Sequence, residues 1–134
     1  MNDIVYKTIS QHDQKKGVGE IIEEILGLKD RAGIGLATAK IEKSKMHYHN
    51  NTTEIYYGLN GLGKVHIARL KGKRFVEGRF YNIDKGDMIM IPPGIGHYAE
   101  VEGKEFEVLV ISSPAWTQED HHLIVESEQS KLMP

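Results

Sequence analysis

From residue 33 onward, apolar and polar positions change places every one or two residues, and turn-forming residues cut the chain into short runs. Ile34, Leu36 and Thr38 alternate with Gly35, Ala37 and Ala39, which predicts a strand over 33–42 with small residues on one side. Residues 54–59 form a β-rich run, and Asn60-Gly61-Leu62-Gly63 is a hairpin signal that makes 64–70 its partner strand. A turn at 71–74 leads to a strand over 75–83, and a turn at 84–87 leads to one over 88–91. Pro92-Pro93 must end that last strand, in which Met88 and Met90 are expected to face the core. Residues 105–111 begin in alternation and finish continuously apolar, as a strand covered on both sides does.

The flanks are less regular. Residues 1–20 are polar and contain Lys15, Lys16, Gly17 and Gly19, the composition of an arm or loop. Over 21–28 the apolar positions 21, 22, 25 and 26 suit a short helix, while the β-branched content suits a strand. The tail, 113–134, is polar with Pro114 and Trp116 near its root. His121 and His122 are adjacent and cannot share one face of a strand, so they are expected on an exposed tail, as is His12. Many short strands with turns between them predict an all-β sandwich or barrel. The division expected is an arm or strand over 1–32, a barrel over 33–112, and a tail over 113–134 that packs on the barrel.

Composition narrows the partners more than the fold. A chain of 134 residues with 40% apolar and 27% charged residues is most simply one globular domain. A formal net charge of −2 gives no footprint for nucleic acid. No apolar run approaches the roughly 18 residues that span a bilayer, and the opening lacks a secretory hydrophobic segment, so neither membrane nor export is expected and the location is taken as cytoplasmic. The absence of cysteine excludes disulfides, thiolate nucleophiles and sulfur-ligated metals.

The chemistry lies in His47-Tyr48-His49-Asn50-Asn51-Thr52-Thr53-Glu54 and in His97. In an extended strand His47 and His49 point to one face, roughly 6 to 7 Å apart, so both imidazoles can reach one ion. Glu54 lies at an odd separation from His49, but Asn50 to Thr53 is turn chemistry that can reset the parity. Tyr56 shares the parity of Glu54 and is a candidate to face the same cavity, with a plain core aromatic as the alternative. His66, on the strand after the predicted hairpin, is another, with a surface role as the alternative.

The run from His47 to Gly61 reads H-x-H-x4-E-x6-G, and the run from Gly86 to His97 reads G-x5-P-x-G-x2-H. Together they resemble the two signature motifs of the cupin superfamily over about residues 34–112. Ile41 stands where the first motif usually opens with Gly, and Val101 where the second often closes with Asn. The resemblance implies a single-domain jelly-roll barrel in which His47, His49, Glu54 and His97 hold one divalent metal ion. It also favours a strand over 21–28 and a homodimer. Nitrogen and oxygen donors suit Fe, Mn, Zn, Ni or Co and do not choose among them.

The Glu-Ile-Tyr-Tyr-x-Leu-x-Gly run and the Ser-Pro-Ala-Trp…Glu-Asp-His-His tail are similar to small cupins described as mannose-6-phosphate isomerase-like. The function this implies is metal-dependent action on a small polar molecule in the barrel, first as a sugar or sugar-phosphate isomerase. The alternatives are a non-haem iron dioxygenase and a non-catalytic module that binds a sugar-like ligand. A phosphate would need a basic mouth, for which Lys64, Arg69, Lys71, Lys73, Arg74 and Arg79 are candidates.

Overall fold

The computed structural model describes residues 4–17, 19–71 and 74–124. Lys73 and the tail from 125 onward, both named above, lie outside the described residues. Nine strands account for most of the rest: β1 (Asp13–Gly17), β2 (Glu20–Leu26), β3 (Gly35–Ile41), β4 (His47–Tyr48), β5 (Thr53–Lys71), β6 (Arg74–Ile83), β7 (Met88–Ile91), β8 (Ile95–Ser113) and β9 (His122–Leu123). Three short 3-10 turns complete the regular structure of the described residues. No helix among them is long and apolar enough to cross a membrane.

Every strand pairing is antiparallel, and one path runs β1-β2-β3-β8-β4-β9. Strand β5 joins this path through β8 and also pairs with β6 and β7. The sheet curls on itself into a jelly-roll barrel. Its interior is packed by Val65, Phe106, Val108, Ile83 and Ile91, all buried. Burying such side chains contributes about 1.5–3 kcal/mol each. The small residues foreseen in β3 face inward: Ala39 is buried opposite Val108, and Ala37 lies opposite Val110.

Three expectations change. The segment 60–63 is not a hairpin turn. Strand β5 runs straight through it with two register shifts against β8, and residues 64–70 pair with β6 and β8 rather than with 54–59. The reason is Gly61, whose φ of 75° bends the strand while a Cβ there would lie 1.8 Å from the Glu105 carbonyl oxygen. A glycine that reads locally as a turn is here a bulge, because a long partner strand is available to span it. The arm or strand expected over 1–32 contains strand β1, held by β2, and of the two readings left open for 21–28 the strand favoured by the resemblance is the one present, as Glu20–Leu26.

Met88 and Met90 are not core: they are 58% and 56% exposed, and the inward positions of β7 belong to Ile89 and Ile91. They border an outer face that continues through Ile55 and Tyr57 of β5 to Leu109 and Ile111 of β8. Over 105–111, strand β8 is accordingly buried on its inner side, at Phe106 and Val108, and only partly covered on the other, at Glu107, Leu109 and Ile111.

Replacing Gly61 by alanine should destabilise the fold by about 1–3 kcal/mol, since either the bulge or the backbone of residue 105 must move. Urea unfolding of the variant against the native protein measures this, and an unchanged midpoint would show that the approach is not constraining.

Candidate metal centre

Strand β4 is two residues long, yet it sets the site. His47 pairs with His97 of β8 on one side and with Leu123 of β9 on the other, so the imidazoles of His47 and His97 share a face. The ring centroids of His47 and His97 are 4.2 Å apart, and those of His47 and His49 are 5.1 Å apart. After His49 the chain bends through Asn50 and Asn51 and re-enters a strand at Thr53, which brings Glu54 round to the same side. The parity is reset as the turn chemistry of 50–53 allowed. The candidate ligand atoms of His47, His49, Glu54 and His97 lie within 4.8 Å of one another, and all four residues are buried.

The outer nitrogen of each imidazole is already committed. Nδ1–H donates to the carbonyl of Lys45 from His47 (2.8 Å), of Asp120 from His49 (2.8 Å) and of Ile95 from His97 (3.0 Å). In a neutral imidazole this leaves Nε2 as a lone pair, and all three Nε2 atoms turn inward. There they meet Oε1 of Glu54, at 2.9 Å from His49, 2.8 Å from His97 and 3.9 Å from His47. Lone pairs facing a carboxylate oxygen at such distances repel unless something positive lies between them. Only protons on the imidazoles or a cation can supply that charge.

The titration behaviour carries the same demand. Burial alone would raise the Glu54 carboxyl, but hydrogen bonding from His47, His49 and His97 outweighs it and holds the group well below its ordinary value. Burial works to lower His49, yet the hydrogen bond and charge of Glu54 raise it. Burial and the charge of His97 lower His47. Three imidazoles with backbone-fixed tautomers, one carboxylate and no sulfur suit one divalent ion of the kind that takes nitrogen and oxygen donors. Because the ion needs the same lone pairs, protons compete with it.

Two candidates from the sequence separate here. Tyr56 faces inward: it is buried, packs against the barrel core, and its ring meets His97 edge-on at 6.1 Å. Burial, with the charges of Glu54 and Glu20 added, raises its phenol well above the usual range, so it stays protonated. His66 does not face the cavity. Its neighbours Val65 and Ile67 take the inner face, and it stacks at 4.3 Å on Tyr98 and reaches Glu100 at 2.7 Å on the outside. A strand's alternation decides this once His97 is known to pair with Ile67.

Sequence reasoning missed the contribution of the tail. The carboxylate of Asp120 accepts the backbone N–H groups of Asn50 (2.8 Å), Asn51 (3.0 Å) and Thr52 (3.2 Å), which pins the bend between His49 and Glu54. Burial opposes its charge, but these three donors hold its carboxyl below the usual range. His121 is not on an exposed tail; it stacks on His47 at 4.4 Å and accepts a hydrogen bond at Nδ1 from the Trp116 indole (3.1 Å). That bond leaves its proton on Nε2, and burial together with the charges of His47 and His49 lowers its pKa to about 4. His122 stacks on Tyr48 at 5.0 Å. No local pattern announces these roles, because each depends on β9 returning to pair with β4. Glu20 of β2 was also missed; it projects into the barrel from the same face as Ile22.

Removing the Asp120 carboxylate should loosen the bend without touching a ligand. Asp120→Ala is expected to weaken metal affinity by about 10–100-fold, with Asp120→Asn in between, as measured by chelator competition. Equal affinity in all three proteins would show that the bend holds without it.

Comparison with known proteins agrees with this architecture. Residues 34–130 match the family model described as Cupin. An uncharacterized protein of Methanocaldococcus jannaschii is 31% identical over 112 residues, spanning 79% of this chain and 82% of the relative. Among solved structures, oxalate decarboxylase from Bacillus subtilis superposes with a TM-score of 0.74 at 15% identity, over 99% of this chain. The chain spans only 35% of the length of that enzyme. Ectoine synthase from P. lautus superposes with a TM-score of 0.68 at 18% identity, over 91% of each chain. By the match over most of its length, the chain belongs to the cupin family.

Proposed function

We propose that this cupin is a metal-dependent enzyme acting on a small polar molecule, and that its reaction is the isomerisation of a sugar or sugar phosphate. The observation that carries the metal dependence is the convergence of three imidazole lone pairs and one carboxylate on a single buried point. A divalent ion held there supplies a Lewis acid that polarises a substrate carbonyl. The solved neighbours bear the names of a decarboxylase and a synthase, so the fold alone does not select the chemistry and the choice rests on the residues around the centre.

Those residues suit a polar ligand. His47, His49, Glu54 and His97 fix the point of attachment. Tyr56 places a protonated phenol on the same inner face as Glu54. His121, neutral and carrying its proton on Nε2, adds a donor from the tail side. Of the basic residues considered for a phosphate, Arg69 and Arg79 border a cleft of about 170 Å³. Its lining includes Ile67, paired with His97, and Ile91, paired with Glu54.

The test begins with metal analysis of untagged protein, expected to show about one divalent ion per chain. His49→Ala should lose it and, with it, ketose–aldose interconversion of sugar phosphates. Interconversion that survives in metal-free His49→Ala would remove this reading, and oxygen uptake with ferrous iron would favour a dioxygenase instead.

The homodimer implied by family resemblance is proposed to form through the outer face of Met88, Met90, Ile55, Tyr57, Leu109 and Ile111, whose apolar side chains are only partly covered. Sedimentation should give a dimer at micromolar concentration, and Met90→Lys should give a monomer. A native monomer would rule it out.

A further inference from the structure

His121 stands against two members of the four-residue centre without belonging to it. Its ring stacks on that of His47 at 4.4 Å and 21°, and lies 5.5 Å from the ring of His49. The backbone is held on both sides of it. Its own N–H donates to the Gln118 carbonyl (3.2 Å), and the next residue, His122, pairs with Tyr48 where β9 meets β4.

One hydrogen bond sets its chemistry. The Trp116 indole reaches Nδ1 at 3.1 Å, and an indole N–H can only donate. Nδ1 therefore carries a lone pair, the ring is neutral, and its hydrogen sits on Nε2. This arrangement bars His121 from the ion, because a ligating Nε2 would need the hydrogen on Nδ1, where the indole already points. What His121 offers is an N–H. No hydrogen bond to a described residue engages it. Among the described residues, the one side-chain polar atom sealed from solvent without a partner is Nδ1 of His12, so Nε2 of His121 is open to solvent. The Tyr56 hydroxyl, on the ring that meets His97 edge-on, is in the same condition.

We propose that His121 contacts the substrate directly: its Nε2–H hydrogen-bonds an oxygen of the molecule held at the centre and stabilises the negative charge that grows there. Trp116 is its positioning residue. The inference rests on the carbonyl-polarising reading above and specifies the ligand as an oxygen acceptor, such as the carbonyl of a ketose or the enediolate it becomes. A neutral imidazole suits this task because it donates to a developing oxyanion while keeping its proton.

The test titrates cobalt(II)-loaded protein with glycolate, which binds through oxygen and has acceptors to spare, and with imidazole, which binds through nitrogen and leaves no acceptor. Visible absorption reports both. His121→Phe keeps a ring on His47 and should weaken glycolate by about 10-fold or more, with imidazole binding and cobalt content unchanged. His121→Gln retains an N–H and should recover part of the difference. Trp116→Phe frees Nδ1, so His121 can turn a lone pair to the ion, and the cobalt spectrum should change with no ligand added; an unchanged spectrum removes Trp116 from the proposal. In sugar-phosphate interconversion, His121→Phe should lower kcat by about 100-fold. Equal glycolate affinity in native and His121→Phe protein overturns the inference and leaves the isomerase reading standing, as does a native protein that binds cobalt but no glycolate. Loss of cobalt from His121→Phe, or equal weakening of glycolate and imidazole, makes His121 a brace of the site and also overturns it. Selectivity for glycolate through His121 in a native protein that interconverts no sugar phosphate supports the donor and removes the isomerase reading.

Discussion

A carboxylate sealed inside a β-barrel keeps its charge only if positive charge lies against it, and in this protein the surroundings of Glu54 are organised to demand that charge. Three imidazoles reach it, each with its outer nitrogen spent on a backbone carbonyl. The inner nitrogens therefore offer lone pairs rather than donors. Such a site is poorly satisfied by its own atoms and well satisfied by an ion, so its geometry is a statement about a ligand. Strand pairing supplies the rigidity: His47 opposite His97, and Glu54 between Ile91 and Ser112.

The carbonyls that orient the imidazoles come from three places, and one of them is remote. Asp120 bonds the bend at 50–52 with its carboxylate and His49 with its carbonyl, so a single residue of the C-terminal segment braces two parts of the first motif. The same segment brings His121 against His47 and holds it there by a hydrogen bond from Trp116. Part of the site is thus built by chain that the two motifs do not contain. Substitutions in this segment should be read as changes to the site rather than to an appendage.

Unpaired polar groups in the barrel separate a cupin that merely holds an ion from one arranged to act. The outer-face residues with polar side chains, such as His66 with Glu100 and Lys64 with Glu102, find partners. Tyr56, facing the centre, remains protonated, and Glu20 remains without a cation of its own among the described residues. Groups left in that condition raise the cost of folding. Fold and reactivity are separate here: neighbours with the same barrel carry the names of different activities.

The all-β class, most strand positions and the shared face of His47 and His49 were legible in the linear chain, because a period of two is a local quantity; the full set with Glu54 and His97 came from the family resemblance. The motif spacing also carried Gly61, though its meaning was misjudged: only a partner strand long enough to span it makes that residue a bulge instead of a turn. The exposure of Met88 and Met90, the outward side of His66, and the inward side of Glu20 all follow from which neighbour each strand acquires. The roles of Asp120 and His121 depend on β9 folding back to β4, some 70 residues away along the chain. Periodicity says which residues share a face; only the assembled sheet decides whether that face meets water, core or the metal centre.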